Sequence, residues 1–433
     1  MSKIGYNKQL KIKYIDIFYV LALFLIYTEA FICSLYNVFF TNIFINILCV
    51  LLGIVILIYL NKPHIILMRI SRINLWVLIC VIGICIIIWM GNSGSSNFWV
   101  NIRYILLYVS FICCLENDRW TRYFMKLSLL FSLVFIFTTI WLYFDTNSFY
   151  SLFAYNLYPY GDFGYYLNKG ITSGIADHYS HNGIMLANSL VLIVTLLLTE
   201  KSKRKKVIYS IILILNLVAM VMCGKRGQVV TPIIAIIIGG MIFYQIFKRP
   251  NKLSKFLIVI LTAVFTIYII SIFSPILDNY LSRFSGLESD GTVLARYGYW
   301  ALAMAQFRSH PIFGIGWLHF RTINFDGNDP HNIYIQLLCE TGIIGTIIFV
   351  LFYISAIVIA YRNLKRISEY GNKASVTEQR NCLYAFIGQV YFLLYGLTGN
   401  PQTLMYSLMP YLLACAMGYA YKNKINSKNN MNI

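Results

Sequence analysis

The chain has 433 residues, 59% of them hydrophobic and only 12% charged, with a mean hydropathy of +0.69. A soluble domain of this length runs nearer half apolar and a quarter charged, so the composition excludes that class and points to an integral membrane protein. The formal charge of +19 invites a nucleic-acid reading, but in a membrane protein it is the placement of Lys and Arg along the chain that matters, and here it sorts with topology, so no nucleic acid is expected as a partner.

Apolar runs near 20 residues recur, which suits helices crossing a hydrocarbon core of roughly 30 Å and not the short alternating segments of a barrel. The first run is not expected to be a cleaved signal peptide, because no small-residue cleavage site follows it and further runs come after. Lys3, Lys8, Lys11 and Lys13 precede a first span at about 14–32, which puts the N-terminus in the cytoplasm. A second span, about 38–60, returns to Lys62, Arg69 and Arg72. Spans three (about 73–90) and four (about 99–115) flank the uncharged turn GNSGSSN and lead to Arg119, Arg122 and Lys126. Span five, about 127–144, opens an external loop, 145–182, that is rich in Tyr and Gly and ends in TSGIADHYSHNG.

Span six (about 183–199) reaches KSKRKK inside, and span seven (about 207–222) comes out to Cys223-Gly224-Lys225-Arg226-Gly227. Span eight (about 229–247) goes back to KRPNKLSK, and span nine (about 256–273) opens the largest external loop, 274–331. Span ten (about 333–360) meets Arg362, Lys365, Arg366, Lys373 and Arg380 inside, and spans eleven (about 381–397) and twelve (about 403–420) close the chain with both termini cytoplasmic. The expectation is an all-α integral membrane protein, a single polytopic domain over 1–433 with about 12 transmembrane helices and a large external loop between helices 9 and 10. The ten cysteines lie in or beside the apolar runs without metal spacing and read as small apolar fillers.

This topology leaves Arg103, Lys169, Lys225, Arg226, Arg283, Arg296, Arg308 and Arg321 outside or embedded, where cations are costly and usually persist because they bind something. Lys225 and Arg226 stand at the mouth of a tight helical hairpin, between glycines that let the backbone turn and approach a ligand. Two fixed cations there suit a diphosphate; the alternative is a pair snorkelling to outer headgroups. In the large loop, Asp290 or Thr292 can cap a helix from about Val293 to Ser309, which Pro311 stops and Gly314 and Gly316 turn. Arg296, Trp300, Ala303 and Phe307 then share one face, either over a cavity or as part of an ordinary interfacial amphipathic helix.

His331 follows Pro330 and precedes Asn332, where polar loop becomes membrane. An imidazole there can accept a proton from an attacking hydroxyl, although a lone His at a helix start often only caps or packs. Glu340, deeper in the same helix, is expected to pair with an Arg or His. His181-Asn182 repeats the dipeptide at the start of span six, so that either both loops face one cavity or the repeat is chance. Asp326 and Asp329 flank Gly327-Asn328 without a calcium-loop pattern, and no HExxH, Walker loop or dinucleotide fingerprint occurs, so neither metal nor cofactor is expected.

In this order the features resemble the O-antigen polymerase and O-antigen ligase superfamily of bacterial membrane glycosyltransferases. The resemblance rests on Lys225-Arg226-Gly227, on Arg296 with Trp300, on PIFGIGW at 311–317, and on His331-Asn332 followed by Glu340-x-Gly and the GIIG ending at Gly345. It covers about 220–350 in motif and the whole chain in topology. It implies an all-helical glycosyltransferase fold of the C type that uses polyprenyl-diphosphate-linked sugars without nucleotide donors or a required metal. Residue by residue, it implies that Arg226 and Arg296 bind the diphosphate and that His331 assists the acceptor, with Lys225, Asn332, Glu340, His181 and Trp300 as further substrate-binding candidates. Lys225 departs from the small residue that the family has before its Arg, and TSGIADHYSHNG matches the family's earlier loop only loosely.

The implied activity is a polysaccharide polymerase at the outer face of the bacterial cytoplasmic membrane, making capsule, exopolysaccharide or O-antigen. Membrane lipids, a chain-length regulator and a flippase are its implied partners. A ligase that moves a finished glycan to another acceptor shares the motifs. A flippase or transporter is the third reading, and it fits less well, because the polar residues gather at outer helix ends instead of at the midplane of broken helices.

Overall fold

The computed structural model describes residues 79, 80, 82–84, 86, 87, 118–157, 170–176, 178–248, 291–369 and 374–430. The expected spans at 14–32, 38–60, 99–115 and 256–273, most of that at 73–90, and residues 158–169 and 274–290 of the two external loops lie outside them. Among the described residues every regular element is an α-helix. In chain order these are α1 (Asp118–Phe144), α2 (Thr146–Leu157), α3 (Tyr179–Thr199), α4 (Lys203–Cys223), α5 (Arg226–Ile246), α6 (Gly291–Ser309), α7 (Phe320–Ile323), α8 (Ile333–Glu369), α9 (Val376–Tyr395) and α10 (Met405–Asn430).

Among the described residues, five helices are long and apolar enough to cross a membrane: α1 over Thr121–Phe144, then α3, α4, α5 and α8. In hydrocarbon every backbone group must be satisfied internally, which a continuous helix achieves. The hydroxyls inside these runs follow suit, since Ser128, Ser132, Thr139, Ser189 and Thr195 each donate to the carbonyl four residues earlier at 2.6–2.8 Å. α9 and α10 stand where the closing hairpin is expected, but they are more polar, carrying Glu378, Gln379, Arg380, Asn381 and Gln389 in one and KNKINSKNN in the other.

α3 is the axis of the bundle and packs against α1, α4, α5, α9 and α10. Its apolar stretch is 83% buried, against 33% for that of α4. The sequence accounts for the difference. α3 is apolar around its circumference, whereas α4 exposes Val207, Ile208, Ile211, Ile214, Leu215 and Val218, a stripe at helical spacing suited to lipid. Small residues set the closest approaches: a Cβ on Gly239 of α5 would lie 2.3 Å from the Ile387 side chain of α9. The described cysteines Cys80, Cys223, Cys339, Cys382 and Cys415 are buried thiols outside any disulfide.

The sequence reading takes α8 as one uninterrupted span, and the structure corrects this. Gly342 sits inside α8 at φ 62° and ψ −166°, so the helix breaks there. The segment after α6 repairs the break. Ile315 and Gly316 donate to the carbonyls of Cys339 and Glu340 at 3.0 and 2.9 Å, while Ile343 and Ile344 donate to those of Pro311 and Ile312 at 2.9 and 3.3 Å. Irregular backbone in an apolar segment survives only where protein satisfies it, as here. The mating is so close that a Cβ on Gly314 would fall 2.4 Å from the Glu340 carbonyl carbon, and one on Gly342 2.3 Å from the Ile312 oxygen. Gly314 of PIFGIGW and Gly342 of ETGIIG thus form the contact surface between two chain segments.

Candidate functional site

α4 ends on Gly224, whose φ of 67° is left-handed, and α5 begins directly with Lys225 as its N-cap and Arg226 at its first position. Gly183 of α3 abuts this turn; a Cβ there would lie 3.2 Å from both the Lys225 and the Gln228 side chains. Lys225 Nζ stands 5.0 Å from the ring centre of Tyr179, the first residue of α3. An ammonium over an aromatic face is held by the ring quadrupole, and the positive end of the α5 dipole adds to the same place.

α6 brings Arg296. Its expected start at Val293 moves back to Gly291, so Thr292 lies inside the helix, and Asp290 falls outside the described residues. On the face that Arg296 shares with Trp300 and Ala303, the structure packs Trp300 and Ala303 against protein. Ala303 is fully buried in a cluster with Phe320 and Cys339, and Trp300 Nε1 donates to the Pro330 carbonyl at 2.7 Å.

Glu340, fully buried, accepts the backbone N–H groups of Leu318 and Phe320 at 3.0 and 3.2 Å and the Gln336 amide at 3.2 Å. Among the described residues, the hydrogen-bond compensation that a buried carboxylate requires comes from the donors at the start of α7 and from Gln336, with Arg321 near enough to feel its charge. Asp329, also buried, accepts Arg321 Nε at 2.7 Å with a second, closer contact from Nη2. It also accepts Gln336 Nε2 and Thr403 Oγ1, each at 3.3 Å.

His331 lies between these anchors with φ at 54°, in the left-handed region. Asn332 Oδ1 then accepts from Tyr334 and Ile335 N–H at 3.0 and 3.2 Å, capping α8, while its amide reaches the Leu397 carbonyl at 3.4 Å. Ile333 N–H donates to the Gly396 carbonyl at 2.9 Å, tying the entry of α8 to the end of α9.

The electrostatics join three parts of the chain. Burial, then the charges of Arg296 and Lys225, push the His331 imidazole down to about 4; Asp329 opposes the shift and Arg321 adds to it. Burial, then Arg296, push the Lys225 ammonium down to about 8, with Arg226 adding and Cys223 opposing. The Arg321 guanidinium moves the other way, held charged by its hydrogen bonds to Asp329. At neutral pH the site therefore presents a neutral imidazole inside a field of cations, which suits a ligand of concentrated negative charge.

The residues singled out from sequence fall into three groups. Lys225, Arg226, Arg296 and His331 meet through mutual electrostatic coupling, with Arg226 reaching the others through Lys225. Trp300 and Asn332 hold the backbone on either side of His331, and Glu340 lies behind it, fastening the loop. His181 instead stacks on Tyr406 of α10, ring centres 4.4 Å apart and planes 23° off parallel. Its helix meets the cluster through Tyr179. Sequence reasoning missed the Arg321–Asp329 pair and its supports Gln336 and Thr403. The available signal was an acid two residues before the histidine with an arginine eight residues before that acid, which spacing alone does not connect.

The fold and this cluster define an integral membrane protein that gathers cations and an imidazole where α4 ends and α3, α5 and α8 begin. Residues 211–350 match the O-antigen ligase family model, which supports the O-antigen ligase and polymerase superfamily and glycan transfer as its class of activity. The matched segment runs from α4 into α8 and contains Lys225, Arg226, Arg296 and His331. No curated protein matches the chain.

Proposed function

We propose that the protein is a polysaccharide polymerase that joins polyprenyl-diphosphate-linked oligosaccharide repeat units at the outer face of the bacterial cytoplasmic membrane. The observation that carries this reading is the convergence of Lys225, Arg296 and His331 from three separate segments at one end of the bundle. In the proposed reaction an acceptor sugar hydroxyl attacks the anomeric carbon of the donor. The new C–O bond forms as the bond to the diphosphate breaks, and the hydroxyl proton passes to His331. Arg226, Arg296 and Lys225 stabilise the charge that grows on the departing polyprenyl diphosphate. Because the leaving group is already activated and the cations come from the chain itself, the reading needs no metal.

The neutral state of His331 fits an acceptor of protons, and a bound diphosphate would offset the cations that make it a weak base. The same reading keeps about 12 spans in one domain over 1–433, both termini cytoplasmic, and the loops 145–182 and 274–331 outside. A flippase would then supply the donor and a chain-length regulator would set product size.

A ligase acting on a different acceptor is the second reading, favoured by the description of the matching family. Purified protein in proteoliposomes, given only a lipid-linked repeat unit, separates the two. A polymerase yields a ladder of products on a gel, lost in His331→Ala. Transfer of a single unit, and only when a second acceptor is supplied, would replace the polymerase by the ligase.

A further inference from the structure

Resting on the reading of His331 as the proton-accepting group, we propose that Arg321 and Asp329 form a positioning pair that holds His331 in its left-handed conformation against the cationic cluster. A non-glycine residue at φ 54° keeps that conformation only where its surroundings determine it. Here the residues on both sides are pinned. Pro330 is held through its carbonyl by Trp300, Asn332 caps α8, and Ile333 donates to Gly396. Asp329 carries the most connections.

These connections close a ring. Arg321 donates to Asp329, the Gln336 amide donates to both Asp329 and Glu340, and Glu340 accepts the N–H of Phe320, the residue before Arg321. The loop that brings the arginine is thus fastened to the same helix that His331 precedes. Asp329 Oδ1 is taken by Arg321 and Gln336, and Oδ2 by Arg321 and Thr403. With both oxygens committed, the carboxylate serves to hold the loop and not to receive a proton from the imidazole. A guanidinium suits this place because its planar fork meets both oxygens at once. Among the described residues, the charged groups that face His331 are Arg296 from α6, Lys225 from the α4–α5 turn, and Arg321 and Asp329 from its own loop, with the Tyr299 ring centre 6.5 Å away.

The test uses the full chain in lipid nanodiscs and two readouts: the product ladder, and the pH midpoint at which His331 loses reactivity toward diethyl pyrocarbonate, followed by peptide mass spectrometry. Arg321→Gln leaves Asp329 uncompensated and is expected to raise the midpoint by about one pH unit, while Asp329→Asn leaves Arg321 unmatched and lowers it. Both should reduce product formation at least tenfold. Arg321→Lys keeps the charge and loses the fork, so it should lose rate with the midpoint near wild type. Equal-sign shifts in the first two variants, or a wild-type rate in Arg321→Lys, would overturn the proposal. If those variants do not fold, Thr403→Val removes one bond to Asp329 without touching a charge; a severalfold loss of rate at an unchanged midpoint supports the pair, and a wild-type rate removes it. Absence of a ladder from the wild type would defeat the polymerase reading, while the modification midpoints still decide the pair.

Discussion

The chain uses His-Asn twice at a helix entry, and the two copies have opposite fates. His181 and Asn182 lie inside the first turn of α3; the imidazole stacks on Tyr406, and the fully buried Asn182 amide donates to Thr139 Oγ1 at 2.9 Å. His331 and Asn332 lie before the first turn of α8, so the asparagine becomes a cap and the histidine is left outside the helix at φ 54°. A shift of four positions relative to the helix start separates a packing histidine from one that faces Arg296 and Lys225. The chemistry available to an imidazole is set by its backbone, and the dipeptide by itself carries little.

The largest expected effect separates the two histidines directly. His331→Ala should reduce ladder formation by 10²-fold or more, the usual cost of removing a general base, and His181→Ala by only a fewfold, both measured as initial rates in proteoliposomes. Equal losses would erase the distinction between the copies. Next come the cations: Arg226→Lys and Arg296→Lys should each cost about tenfold or more, because an ammonium cannot reproduce a paired guanidinium contact with phosphate oxygens. Retained activity in both would reduce their role to a general field.

The same comparison extends to one glycine in each of the two helices. Gly183 meets flexible side chains at 3.2 Å, while Gly342 meets the Ile312 carbonyl at 2.3 Å and has a φ of 62°. Gly183→Ala should therefore lower stability by about 1 kcal/mol at most, and Gly342→Ala by about 3 kcal/mol or more, since backbone must move and the left-handed conformation is strained. Thermal unfolding in detergent measures both, and a tolerated Gly342→Ala would mean that the broken helix is not mated to the 311–316 segment as described.

Much of the helical layout was legible because apolar runs and basic clusters are strong, one-dimensional signals. The runs read at 127–144, 183–199, 207–222, 229–247 and 333–360 each coincide with a helix long and apolar enough to span. The cations of the cluster drew notice for a related reason, since the reading of basic clusters as inside segments leaves them apart from most other Lys and Arg. What stayed hidden depends on contact. Nothing in ETGIIG announces that Gly342 interrupts a helix, because the break is stable only when Pro311 to Gly316 arrive to pair with it. Glu340 was recognised as needing a partner, but a backbone N–H is anonymous in sequence, so an arginine or histidine was expected where the start of α7 does the work.

The smallest effect tests the cluster without relying on turnover. In the free protein Lys225 is half protonated near pH 8 and His331 near pH 4. Both shifts arise partly from neighbouring cations, so a diphosphate docked among them should raise both affinities for protons. Binding a non-reactive polyprenyl diphosphate near pH 8 should then take up about half a proton, the fraction by which Lys225 is uncharged beforehand. A second maximum should appear near pH 5, where His331 is neutral in the free protein and protonates as the field is offset. Calorimetry in buffers of different ionisation enthalpy reads the uptake. Lys225→Met should remove the alkaline maximum and His331→Ala the acidic one, while His181→Ala leaves both in place. Binding with no uptake, or with release, would put the diphosphate elsewhere and leave the contrast between the two His-Asn copies a matter of folding alone.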